Sequence, residues 1–211
     1  MRGYFKSLLA IVKSPLIVLA PGAGAPSSHP WMLRWAASLG TVGQVSTFDY
    51  RYMTEGRKYP DPLPKLIESH REALRQARQA FRGPAVLIGK SMGSRIGCHV
   101  SLEEKVTALI CFGYPLCGGG DPRKRREEVL RKLSTPILFI QGTRDPLCPL
   151  DLLAEVRAEM RAPNELYVVE GGDHSLAVTK TRLRASGETQ DQVDRRILER
   201  IRIFLESLEP A

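Results

Sequence analysis

The stretch AVLIGKSMGSRIG, residues 85–97, carries two overlapping signatures. Gly89-Lys90-Ser91 is the tail of a phosphate-binding loop, whereas Gly89-Lys90-Ser91-Met92-Gly93 is a Gly-x-Ser-x-Gly turn that presents a serine between a strand and a helix. The first reading needs G-x-x-x-x-G-K-[ST], because several residues must wrap backbone N–H groups around the phosphates. Here Pro84 stands at the first glycine position, and Ala85, Val86, Leu87 and Ile88 between them read as a strand. Nothing is left to build the cradle, so Lys90 is expected to be solvent-facing or locally hydrogen-bonded. The second reading fits locally. Small residues Gly93, Ser94, Gly97 and Cys98 follow at helical spacing, and glycines on both sides of Ser91 let strand and helix approach closely, as a nucleophile elbow requires.

A second glycine motif, GAGAPS from Gly22, invites a dinucleotide-binding reading. Position 27 is Ser27 behind a proline, so the third glycine needed for close helix–strand packing is missing. Neither motif supports a nucleotide, and no cofactor is expected.

Outward from the elbow, short apolar runs alternate with helical patterns, the mark of an α/β protein with a largely parallel sheet. Strands are expected at 15–20, 44–50, 84–89, 106–113, 136–142 and 165–172, nearly continuous in apolar character and therefore covered on both faces. Leu63, Leu66, Ile67, Leu74, Ala77 and Phe81 recur at helical spacing, with Pro62 and Pro64 suited to the first turn. Further helices are expected at 151–160 and 191–208. The segment 115–129 reads as a glycine-rich loop entering a basic helix, too short for a separate cap, and Arg123 to Arg126 as a solvated helix face.

A serine hydroxyl is a weak nucleophile that needs a base, and the base needs an orienting carboxylate. Of the four histidines, His29 follows the glycine loop, His70 lies on the apolar stripe of a helix, and His99 is on the helix after the elbow. His174 follows the sixth strand, where open parallel sheets place their sites. Asp145 follows the fifth strand in a Gly-x-x-Asp-Pro turn. Ser91, Asp145 and His174 thus come in the order nucleophile, acid, base, each just beyond a strand's C-terminal end, as in α/β-hydrolases. Asp173 is the rival carboxylate, assigned to loop structure because adjacent side chains rarely orient one another. Oxyanion donors are expected from the Met92 N–H and from the loop after the first strand, at Ala23 with Gly24 next.

The 211 residues fit one domain spanning 1–211. With 31 Lys plus Arg against 23 Asp plus Glu, the net charge of +8 favours anionic partners through its field without identifying a nucleic-acid binder. Cys98, Cys111, Cys117 and Cys148 have no paired C-x-x-C spacing for zinc or redox work, so a reducing cytoplasm is the simpler location and no metal is expected. Lys13 and Pro15 break the apolar run near the N-terminus, short of the roughly 20 residues that span a bilayer. No membrane or nucleic-acid partner is expected, and the oligomeric state stays open.

The stretches LAPGAGAPSSHPWM, LIGKSMGSRI, CFGYPLCGGGDP, PILFIQGTRDPLCP and VVEGGDHSL, within Leu16 to Leu176, resemble a small α/β-hydrolase-like group. That group includes testis-expressed protein 30 and a regulatory subunit of a nuclear histone acetyltransferase complex, and is related to dienelactone hydrolases. The resemblance implies a three-layer α/β-hydrolase fold with a trimmed, mostly parallel sheet of six or seven strands and no cap domain. It also implies Ser91 as nucleophile, Asp145 as acid, His174 as base and the 22–24 loop as oxyanion contributor. Many hydrolases carry histidine where this chain has Pro21, which leaves backbone donors intact and alters what lines the pocket. The expected activity is hydrolysis of a small carboxylic ester or thioester in an open site, with Trp31 and Trp35 of a 22–35 loop supplying apolar surface. The alternative is a non-catalytic, hydrolase-fold interaction protein; a peptidase would need an added domain. Lys90, Arg95 and Arg144 are either ordinary solvated or capping charges or, if two of them face the mouth, the cause of a preference for acidic substrates.

Overall fold

The computed structural model describes residues 14–81 and 83–208. The segment 1–13, with most of the N-terminal apolar run, lies outside the described residues. Six strands form one sheet, in the order β2-β1-β3-β4-β5-β6, and every pairing is parallel. They are β1 (Leu16–Ala20), β2 (Gln44–Thr47), β3 (Ala85–Lys90), β4 (Ala108–Phe112), β5 (Ile137–Gly142) and β6 (Asn164–Val169). The main helices are α1 (Pro30–Leu39), α2 (Arg51–Thr54), α3 (Leu63–Ala80), α4 (Met92–Val100), α5 (Glu128–Lys132), α6 (Leu150–Ala158), α7 (Lys180–Ser186) and α8 (Gln190–Glu206). Among the described residues no helix is long and apolar enough to cross a membrane.

The strand alternation sorts the core into two layers. Leu16 and Val18 of β1 join Leu66 and Leu74 of α3, Ile96 and Val100 of α4, and Leu153 and Val156 of α6. Ile17 and Leu19 face the other way, against Met32, Trp35 and Leu39 of α1 and Val193, Ile197, Ile201 and Phe204 of α8. Every residue of β1, β3, β4 and β5 is buried, whereas the edge strands β2 and β6 are only partly so. After β1 the chain runs to the β2 edge and returns through α3 to β3 on the other side of β1. The order thus reverses between β1 and β3, and the carboxyl ends of strands at such a reversal are where open parallel sheets place their sites.

Four expectations need correcting. Strand β2 stops at Thr47, because Tyr50 turns into the core and begins α2. Strand β6 stops at Val169, because Gly171 has φ 74° and opens the loop that carries His174. Arg123 to Arg126 are exposed but not helical, since Cys117 pairs with Arg125 in an antiparallel bridge and Arg126 N–H donates to the Leu116 carbonyl. The expected 22–35 loop becomes helix at Pro30, capped by His29 Nδ1 accepting from the Trp31 N–H. Trp35 is consequently buried in the core and lines no site.

His70 on α3 is fully buried; Tyr50 Oη lies 3.3 Å from its Nδ1, and its Nε2 has no partner among the described residues. Burial away from any compensating carboxylate pushes the imidazole down from 6.5 to about 3. The unfolded chain therefore binds this proton at a pH where the folded chain does not. Stability is fully present above about pH 6.5 and is lost as pH falls toward about 3, with a limiting slope of about 1.4 kcal/mol per unit. Urea midpoints at pH 5 and pH 7 should separate by less in His70→Phe than in the wild-type protein. An equal separation in both would remove His70 as the cause.

Candidate active site

The elbow is built as its residue types demand. Ser91, between β3 and α4, holds φ 52° and ψ −114°, a conformation that costs a non-glycine residue about 1–3 kcal/mol. Its N–H donates to the Phe112 carbonyl at 2.9 Å, pinning the turn to the end of β4. A Cβ on Gly93 would sit 2.6 Å from the Ala20 carbonyl oxygen, and one on Gly89 would overlap the Gly93 carbonyl. Both glycines of the motif are thus required by close approach. Ser94, the other serine of the stretch, is buried, and its hydroxyl donates to the Gly89 carbonyl.

The loops after β5 and β6 bring Asp145 and His174 to this turn. His174 Nε2 lies 2.7 Å from Ser91 Oγ, and His174 Nδ1 lies 2.7 Å from Asp145 Oδ2. A carboxylate only accepts, so Nδ1 carries the ring proton and Nε2 is free to accept from the serine hydroxyl. The Asp145 side chain is fully shielded, while that of His174 is 25% exposed, so the ring can meet a ligand. The neighbouring carboxylate, Asp173, accepts from the Ser175 and Ala177 N–H groups and shapes the loop. Gly113 permits the approach of that loop: it has φ 65°, and a Cβ there would lie 2.7 Å from the His174 carbonyl oxygen.

Three supporting groups escaped the sequence reading. Gln141, buried in β5, donates through Nε2 to Asp145 Oδ2 and accepts the Tyr114 N–H at 3.0 Å, while the Leu147 N–H donates to Asp145 Oδ1 at 2.9 Å. The carboxylate is therefore held on both oxygens. Tyr52 Oη donates to the Ala23 carbonyl at 2.7 Å and fixes the loop after β1, which brings Gly22 against Ser91. Met92 is the first residue of α4, where a backbone N–H has no intrahelical acceptor. Among the described residues, the Met92 and Ala23 N–H groups have no acceptor.

Lys90, within the motif, is buried and donates to the His174 carbonyl, with its ammonium 5.7 Å from the centre of the Trp31 ring. Trp31 Nε1 donates to the next carbonyl, Ser175, at 3.0 Å, so the two side chains clamp the histidine loop. Burial lowers the Lys90 pKa to about 8, opposed by the negative charges of Asp145 and Asp173. Arg144 is exposed, and its backbone N–H donates to the Gly172 carbonyl.

The chain is 30% identical over 189 residues to protein sumv-2 of Caenorhabditis elegans, covering 88% of this chain and 16% of that protein. It is also 30% identical over 66 residues to the uncharacterized protein YqkD of Bacillus subtilis, covering 31% of this chain and 22% of that one. It therefore spans less than a quarter of each of these relatives. Among solved structures it is similar to an alpha-beta serine hydrolase homologue from Coxiella burnetii, with TM-score 0.65, 22% identity and 77% of each chain covered. It is also similar to dienelactone hydrolase from Anabaena variabilis, with TM-score 0.62, 16% identity and 83% of each chain covered. At such identities these structures speak for the fold alone. The sequence of residues 13–206 matches a family model directly, and on that match the chain belongs to the alpha/beta hydrolase domain family.

Proposed function

We propose that the protein is a serine hydrolase that cleaves a small carboxylic ester or thioester through an acyl-enzyme on Ser91. The observation that carries this reading is the unbroken line from Asp145 through His174 to Ser91, with both contacts at 2.7 Å. In the forward step the Ser91 hydroxyl gives its proton to His174 Nε2 as Oγ attacks the carbonyl carbon. Asp145 stabilises the imidazolium that results, and the Met92 and Ala23 N–H groups receive the oxyanion. The tetrahedral adduct collapses, the bond to the alcohol or thiol breaks, and His174 returns the proton to that leaving group. Water then repeats the sequence, releasing the acid and restoring Ser91. The five resembling stretches support placing the chain within the small hydrolase-like group that includes testis-expressed protein 30.

A fluorophosphonate probe tests the reading without knowledge of the substrate, because it needs only an activated serine. Native protein is expected to label at Ser91, as located by peptide mapping, and heat-denatured protein to remain unlabelled. Absence of labelling in folded protein, shown to be folded by its circular dichroism, would instead favour the hydrolase-fold interaction protein.

A further inference from the structure

Around the nucleophile, Lys90 is engaged by the His174 carbonyl, which leaves Arg95 as the cation nearest in sequence to Ser91 on α4. Its backbone N–H donates to the Ser91 carbonyl at 3.3 Å, so it stands one helical turn beyond the nucleophile. The side chain is half-buried, and its Nε is sealed from solvent with no hydrogen-bond partner among the described residues. Elsewhere Arg57, Arg71, Arg78, Arg125, Arg131 and Arg200 each meet a carboxylate. Arg95 meets none among the described residues. Burial holds its guanidinium below the usual arginine range, and the like charge of Arg126, which is exposed and likewise without an ion pair among the described residues, adds to that.

Arg126 is held close by structure. Its carbonyl accepts from Tyr114 Oη at 2.7 Å, and the Tyr114 N–H is in turn tied to Gln141, the residue that grips Asp145. Tyr52 is bonded to the Ala23 carbonyl of the loop beside Ser91. A Cβ on Gly118 would lie 3.4 Å from Arg126 Nη2, and one on Gly120 of the same loop 3.6 Å from the carbonyl oxygen of Pro146, next to Asp145. Two guanidinium groups, neither with a carboxylate partner among the described residues and one of them partly desolvated, therefore belong to segments that border the triad. An uncompensated buried charge is strongly unfavourable, and a planar guanidinium fork matches a carboxylate or phosphate in two-point contact.

We propose that Arg95 and Arg126 together bind an anionic group of the substrate, a carboxylate or phosphate separate from the scissile bond, so that the preferred substrate is an acidic ester or thioester. This rests on the serine hydrolase reading for its kinetic arm alone. That arm compares kcat/KM for mono-p-nitrophenyl glutarate with that for p-nitrophenyl pentanoate, across a salt series. The anionic ester is expected to be favoured by about 10- to 100-fold, corresponding to one or two charge-assisted contacts. The ratio should decline as salt screens the exposed partner, and should fall about tenfold in Arg95→Met and in Arg126→Met. Arg95→Lys, which keeps charge without the fork, should give an intermediate ratio and guards against a folding defect in Arg95→Met; Arg126 is exposed, so its variant tests the pair independently. A preference for the neutral ester, or a ratio unchanged in both methionine variants, overturns the proposal.

The second arm is calorimetric titration of Ser91→Ala with monomethyl glutarate and with inorganic phosphate. Binding of either that is lost in the arginine variants supports the site even if no ester is turned over, and the stronger ligand distinguishes carboxylate from phosphate. Failure of both anions to bind, with no anionic preference in the kinetic arm, rejects the site. Failure of fluorophosphonate labelling alone rejects only the hydrolase reading.

Discussion

Ser91→Ala is expected to lower kcat/KM by about 10⁴- to 10⁶-fold for any ester the protein cleaves, with the fold intact. The size follows from the proposed mechanism, in which the three side chains act as a unit: without the hydroxyl, His174 would have no proton to remove and Asp145 no imidazolium to stabilise. On that mechanism the residual rate comes from binding and from the proposed oxyanion donors, which alanine leaves in place. Ser94 cannot substitute, because its hydroxyl is buried and turned to the Gly89 carbonyl. Stability should change little. Alanine adopts the φ of 52° at a cost similar to serine's, and the side-chain bond lost is the one to His174. Steady-state kinetics on a p-nitrophenyl ester panel, alongside thermal melts of both proteins, checks this. Equal rates would remove Ser91 from the chemistry, and a collapsed melt would show that the residue is structural.

Much of this architecture is legible in the chain, and where legibility ends has physical reasons. Strands β1, β3, β4 and β5 declare themselves because a strand covered on both faces must be apolar at every position, as "LIVLA" and "ALICF" are. Phe48 and Tyr50 mislead because aromatic residues suit strands, yet here Tyr50 leaves the sheet to meet His70 from α3. The order Ser91, Asp145, His174 is visible because each follows a strand and strand ends share one edge of the sheet. Their supports are not. Gln141 looks like an ordinary polar residue near the end of an apolar run, and only the fold puts it between Tyr114 and Asp145. Arg126 likewise disappears into a basic cluster until Arg123 is seen on Asp121 and Arg125 on Glu155, which leaves Arg126 without a carboxylate among the described residues. The start of α1 could have been read, since Pro30 suits a first turn and His29 can cap it.

Asp145→Asn is the second large effect, an expected loss of about 10⁴-fold in kcat with Ser91 and His174 both present. An aspartate accepts at every lone pair, and here both oxygens receive donors: Oδ2 from His174 Nδ1–H and Gln141 Nε2–H, Oδ1 from the Leu147 N–H. An asparagine must place an NH₂ group on one of these sides. Facing His174, it donates to Nδ1, which moves the ring proton to Nε2 and leaves no acceptor for the Ser91 hydroxyl. Facing Leu147, it keeps the tautomer but sets donor against donor in a buried site and supplies no charge to the imidazolium. Either orientation leaves a buried donor without an acceptor, so a stability loss of about 1–3 kcal/mol should accompany the kinetic one. Gln141→Leu isolates the kinetic effect, since it removes one donor to Asp145 while keeping the negative charge; it also leaves the Tyr114 N–H without its acceptor and so shares the stability loss. It should cost far less in kcat than Asp145→Asn, about 10-fold if the remaining Leu147 N–H continues to hold the carboxylate. The measurement is kcat and urea stability for the two variants side by side. If Asp145→Asn kept wild-type kcat, His174 would be oriented by something else, and the Lys90 and Trp31 clamp on its loop would be the next place to look.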